Sequence, residues 1–138
     1  MAVQPNYFLA KTDPDTYSLD DLEREGRTIW DGVRNPQALR AVRSMCPGDR
    51  VFIYHSGAEA RIVGLAEVVS EPRPDSKDAK LSVVDFKFLR RLDSPVTLAE
   101  IKASKLFEDW SLVRQGRLST MAAPQAFIDW VRKKGVAC

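Results

Sequence analysis

The stretch "IWDGVRNPQALRAVR", Ile29 to Arg43, sets an indole, a carboxylate and a guanidinium close together at an Asp-Gly turn. Trp30 offers a flat apolar surface, Asp31 a hydrogen-bond acceptor and Arg34 a nearby cation. Stacking on an aromatic ring contributes about 1–3 kcal/mol per base, so one well-placed ring can anchor a flipped or single-stranded nucleotide. A carboxylate beside that ring can accept from the N4 amino group of cytosine. Arg34 and the start of the following helix can meet a flanking phosphate. The plainer alternative is a half-buried core tryptophan followed by an ordinary turn. Residue types alone leave both open.

The single histidine, His55, stands in "YHSG" between Tyr54 and Ser56. This invites a hydrolase reading, with Ser56 as nucleophile, His55 as base and one of the aspartates as orienting group. No nucleophile elbow, phosphate loop, His-x-x-x-His or paired-cysteine motif accompanies it. A strand-end histidine that satisfies its own hydrogen bonds is the simpler expectation, and no catalytic residue is assigned. Asp13, Asp15, Asp20 and Asp21 lack calcium-loop spacing and histidine co-ligands. Turn and helix-start chemistry accounts for them, so neither a metal nor a cofactor is expected. Cys46 and Cys138 are too few and too far apart for a zinc knuckle or a disulfide framework.

Short elements must hold these groups. "YFLAK" reads as a first strand stopped by Thr12, Asp13 and Pro14. Ser18 with Asp20 and Asp21 makes a capping-box-like start for a helix that Gly26 ends. A brief strand, Arg27 to Trp30, precedes the turn, and Asn35-Pro36 supplies an N-cap and a first helical position for a helix reaching about Met45. "RVFIYHS" alternates with period two, and "RIVGLAEVVSE" is apolar on both faces, with Gly64 marking a bulge or a close backbone approach. "EPRPDSKDAK" is a polar loop expected to be mobile. "LSVVDFKFLRRL" alternates, with Val84, Phe86 and Phe88 inward and Asp85 and Lys87 on a wet face. Thr97 to Glu100 makes a capping box, "LVRQGRLSTM" reads as extended, and Pro124 opens an amphipathic helix with Phe127, Trp130 and Val131 on its apolar face.

The 138 residues suit one domain, with no internal repeat or linker, and 44% apolar with 29% charged residues excludes a disordered or collagen-like chain. Strands interrupted irregularly by helices favour an α+β domain built on a small, curved mixed sheet or barrel. The N-terminus lacks a secretory leader, and no window is long enough to span a bilayer. A cytoplasmic protein is expected, nuclear if eukaryotic, with no membrane partner. Acidic residues crowd the first quarter, whereas arginines and lysines together weight the C-terminal half. The net charge of only +2 nevertheless predicts weak, salt-sensitive contact with a polyanion.

"YFLAKTDPDTYSLDDL", "WDGVRNPQA", "GDRVFIYHS", "IVGLAEVV", "VDFKF", "PVTLAEIK" and "RLSTM" occur in an order that resembles the EVE domain family, from about Tyr7 to Trp130. The resemblance implies a PUA-like fold, related to YTH and ASCH domains, as a single domain over 1–138 with its core at about 6–132. It also implies a module without catalytic machinery that holds a modified nucleobase. YTH relatives read N6-methyladenine in RNA, and EVE domains are implicated with 5-methyl- or 5-hydroxymethylcytosine in DNA. The implied pocket comprises Lys11 and Thr12, Trp30 and Asp31, Asn35, Tyr54, His55 and Ser56, with Ser119 and Met121 closing the far side. Arg34 and Arg117 are added on chemical grounds as phosphate contacts. The implied partner is nucleic acid carrying a modified base, bound by a monomer or weak homodimer, with modified RNA as the alternative. Pro36 stands where the family often has an aromatic residue, which removes a second ring from that helix.

Overall fold

In the computed structural model, which describes residues 4–138, the chain forms β1 (Tyr7–Thr12), α1 (Leu19–Glu25), β2 (Arg27–Trp30), α2 (Pro36–Ser44), β3 (Arg50–His55) and β4 (Arg61–Val68). It continues through β5 (Arg73–Pro74), β6 (Ser82–Thr97), α3 (Leu98–Ser104), α4 (Ser111–Arg114), β7 (Thr120–Ala122) and α5 (Gln125–Lys133). The strands make one sheet in the order β2-β6-β4-β3-β1-β7, with β5 alongside β6. Among the described residues only β1 and β3 pair in parallel; the remaining pairs are antiparallel. A parallel pair needs a long crossover, and α1, β2 and α2 supply it. The result is the curved, mixed α+β sheet that the sequence predicts.

Capping chemistry sets the helix ends. Both capping boxes form, Ser18 with Asp21 and Thr97 with Glu100, each side chain bonded to the other's backbone N–H. Between β1 and β3, Leu9 faces Phe52 and Lys11 faces Tyr54, whereas Ala10 faces Ile53 and Thr12 faces His55. Directly opposed residues share a face and successive ones alternate. The Phe52 face packs on Phe127 of α5, 5.5 Å between ring centres, and Phe107 and Trp110 extend this aromatic layer. The Ile53 face receives α1 at Gly64, where an added Cβ would stand 2.6 and 2.7 Å from the Leu19 methyl carbons and 3.0 Å from the Arg90 carbonyl. Gly64 is thus the close approach that the sequence signals, beside breaks of register on both sides of β4.

Several expectations are corrected. The strand predicted over Leu81–Leu92 runs on to Thr97, because Val96 and Thr97 pair again with β4 after the irregular stretch 92–95, which accommodates Pro95. The "EPRPDSKDAK" loop contains β5, paired to β6 at Arg73 and Pro74. The segment predicted as extended over Leu112–Met121 instead begins in the single turn of α4 and becomes a strand only at Thr120. Trp130, expected in the core, is half-buried with the Lys134 ammonium 4.8 Å from its ring centre.

Asp85 departs most from its predicted wet position. It points away from Val84 and Phe86, yet it is only 9% exposed. It accepts from Arg27 at 2.7 Å and Arg73 at 2.9 Å, and its N–H donates to the Ser70 hydroxyl. Burial alone would raise its pKa; the two guanidinium groups more than offset this and hold the carboxyl below its usual 3.8. A depressed folded pKa adds stability above the unfolded value and loses it as pH falls through the folded one. Asp85→Asn should therefore be less stable than the parent near pH 7, with the gap closing below about pH 4 in urea melts across pH. A gap independent of pH would contradict this ion triad.

Gly64→Ala should destabilise the fold by about 1–3 kcal/mol through overpacking. Combining it with Leu19→Ala should cost clearly less than the sum of the two single changes. Additive losses in denaturant titrations would show that Leu19 is not what Gly64 accommodates.

Candidate functional site

Trp30 ends β2, at the edge of the sheet, opposite Val84. One surface of its ring stacks on Phe86, 4.9 Å between centres and 29° between planes. Tyr17 meets it edge-on at 6.1 Å and 81°. Trp30 is 8% exposed, so it belongs to the core and also borders the site. The chain then leaves the sheet, with Gly32 in the left-handed region at φ +77 that favours glycine. Asn35 caps α2, its side-chain oxygen accepting from the N–H groups of Gln37 at 2.8 Å and Ala38 at 3.2 Å. Pro36 sits at the start of that helix, as predicted.

A cavity of about 490 Å³ opens at this turn, lined by Thr12, Thr16, Tyr17, Thr28, Ile29, Trp30, Asp31 and Gly32. This volume lies within the range of small-ligand sites, about 300–1,000 Å³. Asp31 is exposed and makes no ion pair among the described residues. Its acceptors are therefore free at the rim. The Thr12 hydroxyl donates to the Tyr17 carbonyl at 2.7 Å, which ties the end of β1 to the loop before α1. The Tyr17 hydroxyl donates to Glu25; burial of the phenol, reinforced by that bond to a carboxylate, pushes its pKa up to about 12.

Of the residues predicted for the pocket, Thr12, Trp30 and Asp31 line this cavity, and strand alternation separates several others. Lys11 and Tyr54 lie on the opposite face of β1 and β3. The Lys11 ammonium donates to the Gly116 carbonyl at 2.9 Å and sits 5.5 Å from the Tyr54 ring centre, with burial lowering its pKa. Ser119 touches β1 through its carbonyl, which accepts from the Lys11 N–H at 2.7 Å. Met121 is buried opposite Leu9, as a core residue. Arg34 and Arg117 are exposed, away from any ion pair among the described residues. Asn35 spends its acceptor on the helix cap.

His55 and Ser56 are likewise engaged elsewhere. The Nε2 of His55 accepts from the Leu19 N–H at 3.1 Å, and Nδ1 faces Glu59 at 3.1 Å. An accepting Nε2 places the proton on Nδ1, donated to Glu59. The Ser56 hydroxyl donates to the Thr12 carbonyl at 3.2 Å. Neither histidine nitrogen is free to activate Ser56, so the hydrolase geometry is not assembled. His55→Ala would leave the Leu19 N–H without its acceptor at the first turn of α1. It should cost about 1–3 kcal/mol in urea denaturation. Unchanged stability would contradict this structural role.

The sequence reading missed Tyr17, the second ring at the site. Its signal was present: an aromatic residue directly before the Ser18 cap, the position that packs back across a helix start. Among the described residues, no group of three or more His, Cys, Asp and Glu could hold a metal ion, and no helix is long and apolar enough to cross a membrane.

A small curved mixed sheet dressed with short helices, with an aromatic-walled cavity at its edge, defines a PUA-like domain. A model of the EVE domain family matches residues 6–134, and the chain belongs to that family. Thymocyte nuclear protein 1 of Rattus norvegicus is 34% identical over 125 aligned positions, covering 70% of this chain and 55% of the relative. The chain thus spans about half the length of that relative. The crystal structure of Atu2648 from Agrobacterium tumefaciens superposes with a TM-score of 0.89 at 35% identity, covering 96% of this chain and 94% of the other. Human THYN1, in complex with 5-methylcytosine-containing DNA, superposes with a TM-score of 0.83 at 28% identity, covering 91% and 95%.

Proposed function

We propose that this chain is a non-enzymatic reader that takes one flipped cytosine derivative of DNA, 5-methyl- or 5-hydroxymethylcytosine, into the cavity beside Trp30. The observation that carries this reading is the cavity itself, in which the Trp30 and Tyr17 rings adjoin the free carboxylate of Asp31. The rings supply stacking surface and Asp31 accepts from the N4 amino group. The 5-methylcytosine DNA complex of human THYN1 supports a ligand of the same class. Arg34, exposed between the turn and α2, is the candidate contact for a neighbouring phosphate, and Arg117, also exposed, is a second candidate.

Trp30→Ala makes a poor test, because removing a ring stacked on Phe86 would cost about 3–5 kcal/mol of fold stability. Asp31 is exposed, so its substitution leaves the fold intact. Fluorescence anisotropy with duplexes differing in one cytosine should show tighter binding to the modified forms. Asp31→Ala should weaken that binding about tenfold or more, the equivalent of 1–3 kcal/mol for a good base contact. Equal affinity for modified and plain duplexes would overturn the reading, and preference for a matched RNA would move it to the RNA class.

A further inference from the structure

Two large apolar side chains stand out in the solvent among the described residues, Leu106 and Ile29. Ile29 is 55% exposed and borders the cavity directly before Trp30. It shares the outward face of β2 with Arg27, because alternate residues of a strand point the same way. Across the ladder it faces Asp85. That carboxylate holds Arg27 and Arg73 by their Nη2 atoms at 2.7 and 2.9 Å. Both arginine side chains remain substantially open to solvent, at 58% and 41%. An aliphatic side chain therefore stands at the lip of the cavity, opposite the carboxylate on which two cations converge. The triad carries one surplus positive charge.

We infer that Ile29 is the wedge of this domain, entering the duplex stack at the position vacated by the flipped base, while Arg27 and Arg73 contact the phosphates on either side. The inference rests on the base-reading function proposed above and adds the means of extrusion. A base leaving the stack opens an apolar gap, and proteins that distort duplexes fill such gaps with side chains such as isoleucine. Asp85 takes one nitrogen of each guanidinium and Ser70 accepts from the Arg73 Nη1 at 3.2 Å, which leaves Nε of Arg73 and the Nε and Nη1 of Arg27 to donate to phosphate oxygens. Asp85 also fixes both arginines on the same side of the sheet as Ile29. The wedge acts only on stacked DNA, because a single strand has no duplex gap to fill.

The test compares Ile29→Ala with the parent chain on two probes, a duplex carrying one 5-methylcytosine and the same modified strand alone. Ile29→Ala should weaken duplex binding by about tenfold and leave single-strand binding within about twofold. Arg73→Gln should flatten the salt dependence of duplex binding by a log–log slope of about 0.9, one phosphate contact. Equal loss on both probes, or no loss on either, would overturn the wedge. An unchanged salt slope would overturn the Arg73 contact. Preference of the parent chain for modified over plain single strand reports the cavity independently of Ile29. Absence of that preference overturns the base-reading function itself, whereas its presence with an unaffected duplex overturns the wedge alone.

Discussion

The site depends on the stack of Trp30 on Phe86. β2 has only four residues and one strand neighbour, so backbone pairing alone holds it weakly. The apposed rings fasten that edge to β6 and fix the indole, which borders the cavity with Asp31 and Gly32. Tyr17 closes on the ring edge from the loop before α1, and Thr12 ties that loop to the end of β1. The cavity is consequently held by core packing and by two strand ends, which limits the ordering that a ligand would have to impose.

α1 is anchored by the same logic on the other side of that loop. Leu19 settles into the space that Gly64 leaves empty, and the backbone N–H of Leu19 donates to His55. One residue thus joins the helix start to β4 by packing and to β3 by a hydrogen bond. Asp20 and Glu23 reach back to Arg91 on β6, so part of the acidity of the first quarter of the chain is neutralised across the fold.

Local signals made most of the fold legible in advance. The caps at Ser18, Asn35 and Thr97, the alternation of β3 and the approach at Gly64 are written in residues a few positions apart. Long-range pairing was not. The burial of Asp85 depends on Arg73 folding back from a polar loop, which the alternation of β6 cannot foretell. At the site, the turn of Trp30, Asp31 and Gly32 was readable because its chemistry is contiguous. Neighbours in a motif, such as Lys11 beside Thr12 or Tyr54 beside His55, were assigned together although a strand sends them to opposite faces. Tyr17 completes the cavity by meeting Trp30 edge-on; its place before the Ser18 cap signals packing across the helix start, but not this long-range partner.

The central claim, that the Trp30 cavity and no other part of the chain receives the base, is tested most directly by an NMR titration with 5-methyl-2′-deoxycytidine. The chain carries three tryptophans, so its indole N–H resonances distinguish Trp30 from Trp110 and Trp130. Shifts confined to the Trp30 indole and to the amides of Thr12, Tyr17, Asp31 and Gly32 are the predicted result. Shifts centred instead on Phe107 and Trp110, where a second cavity of about 530 Å³ opens, would contradict the account.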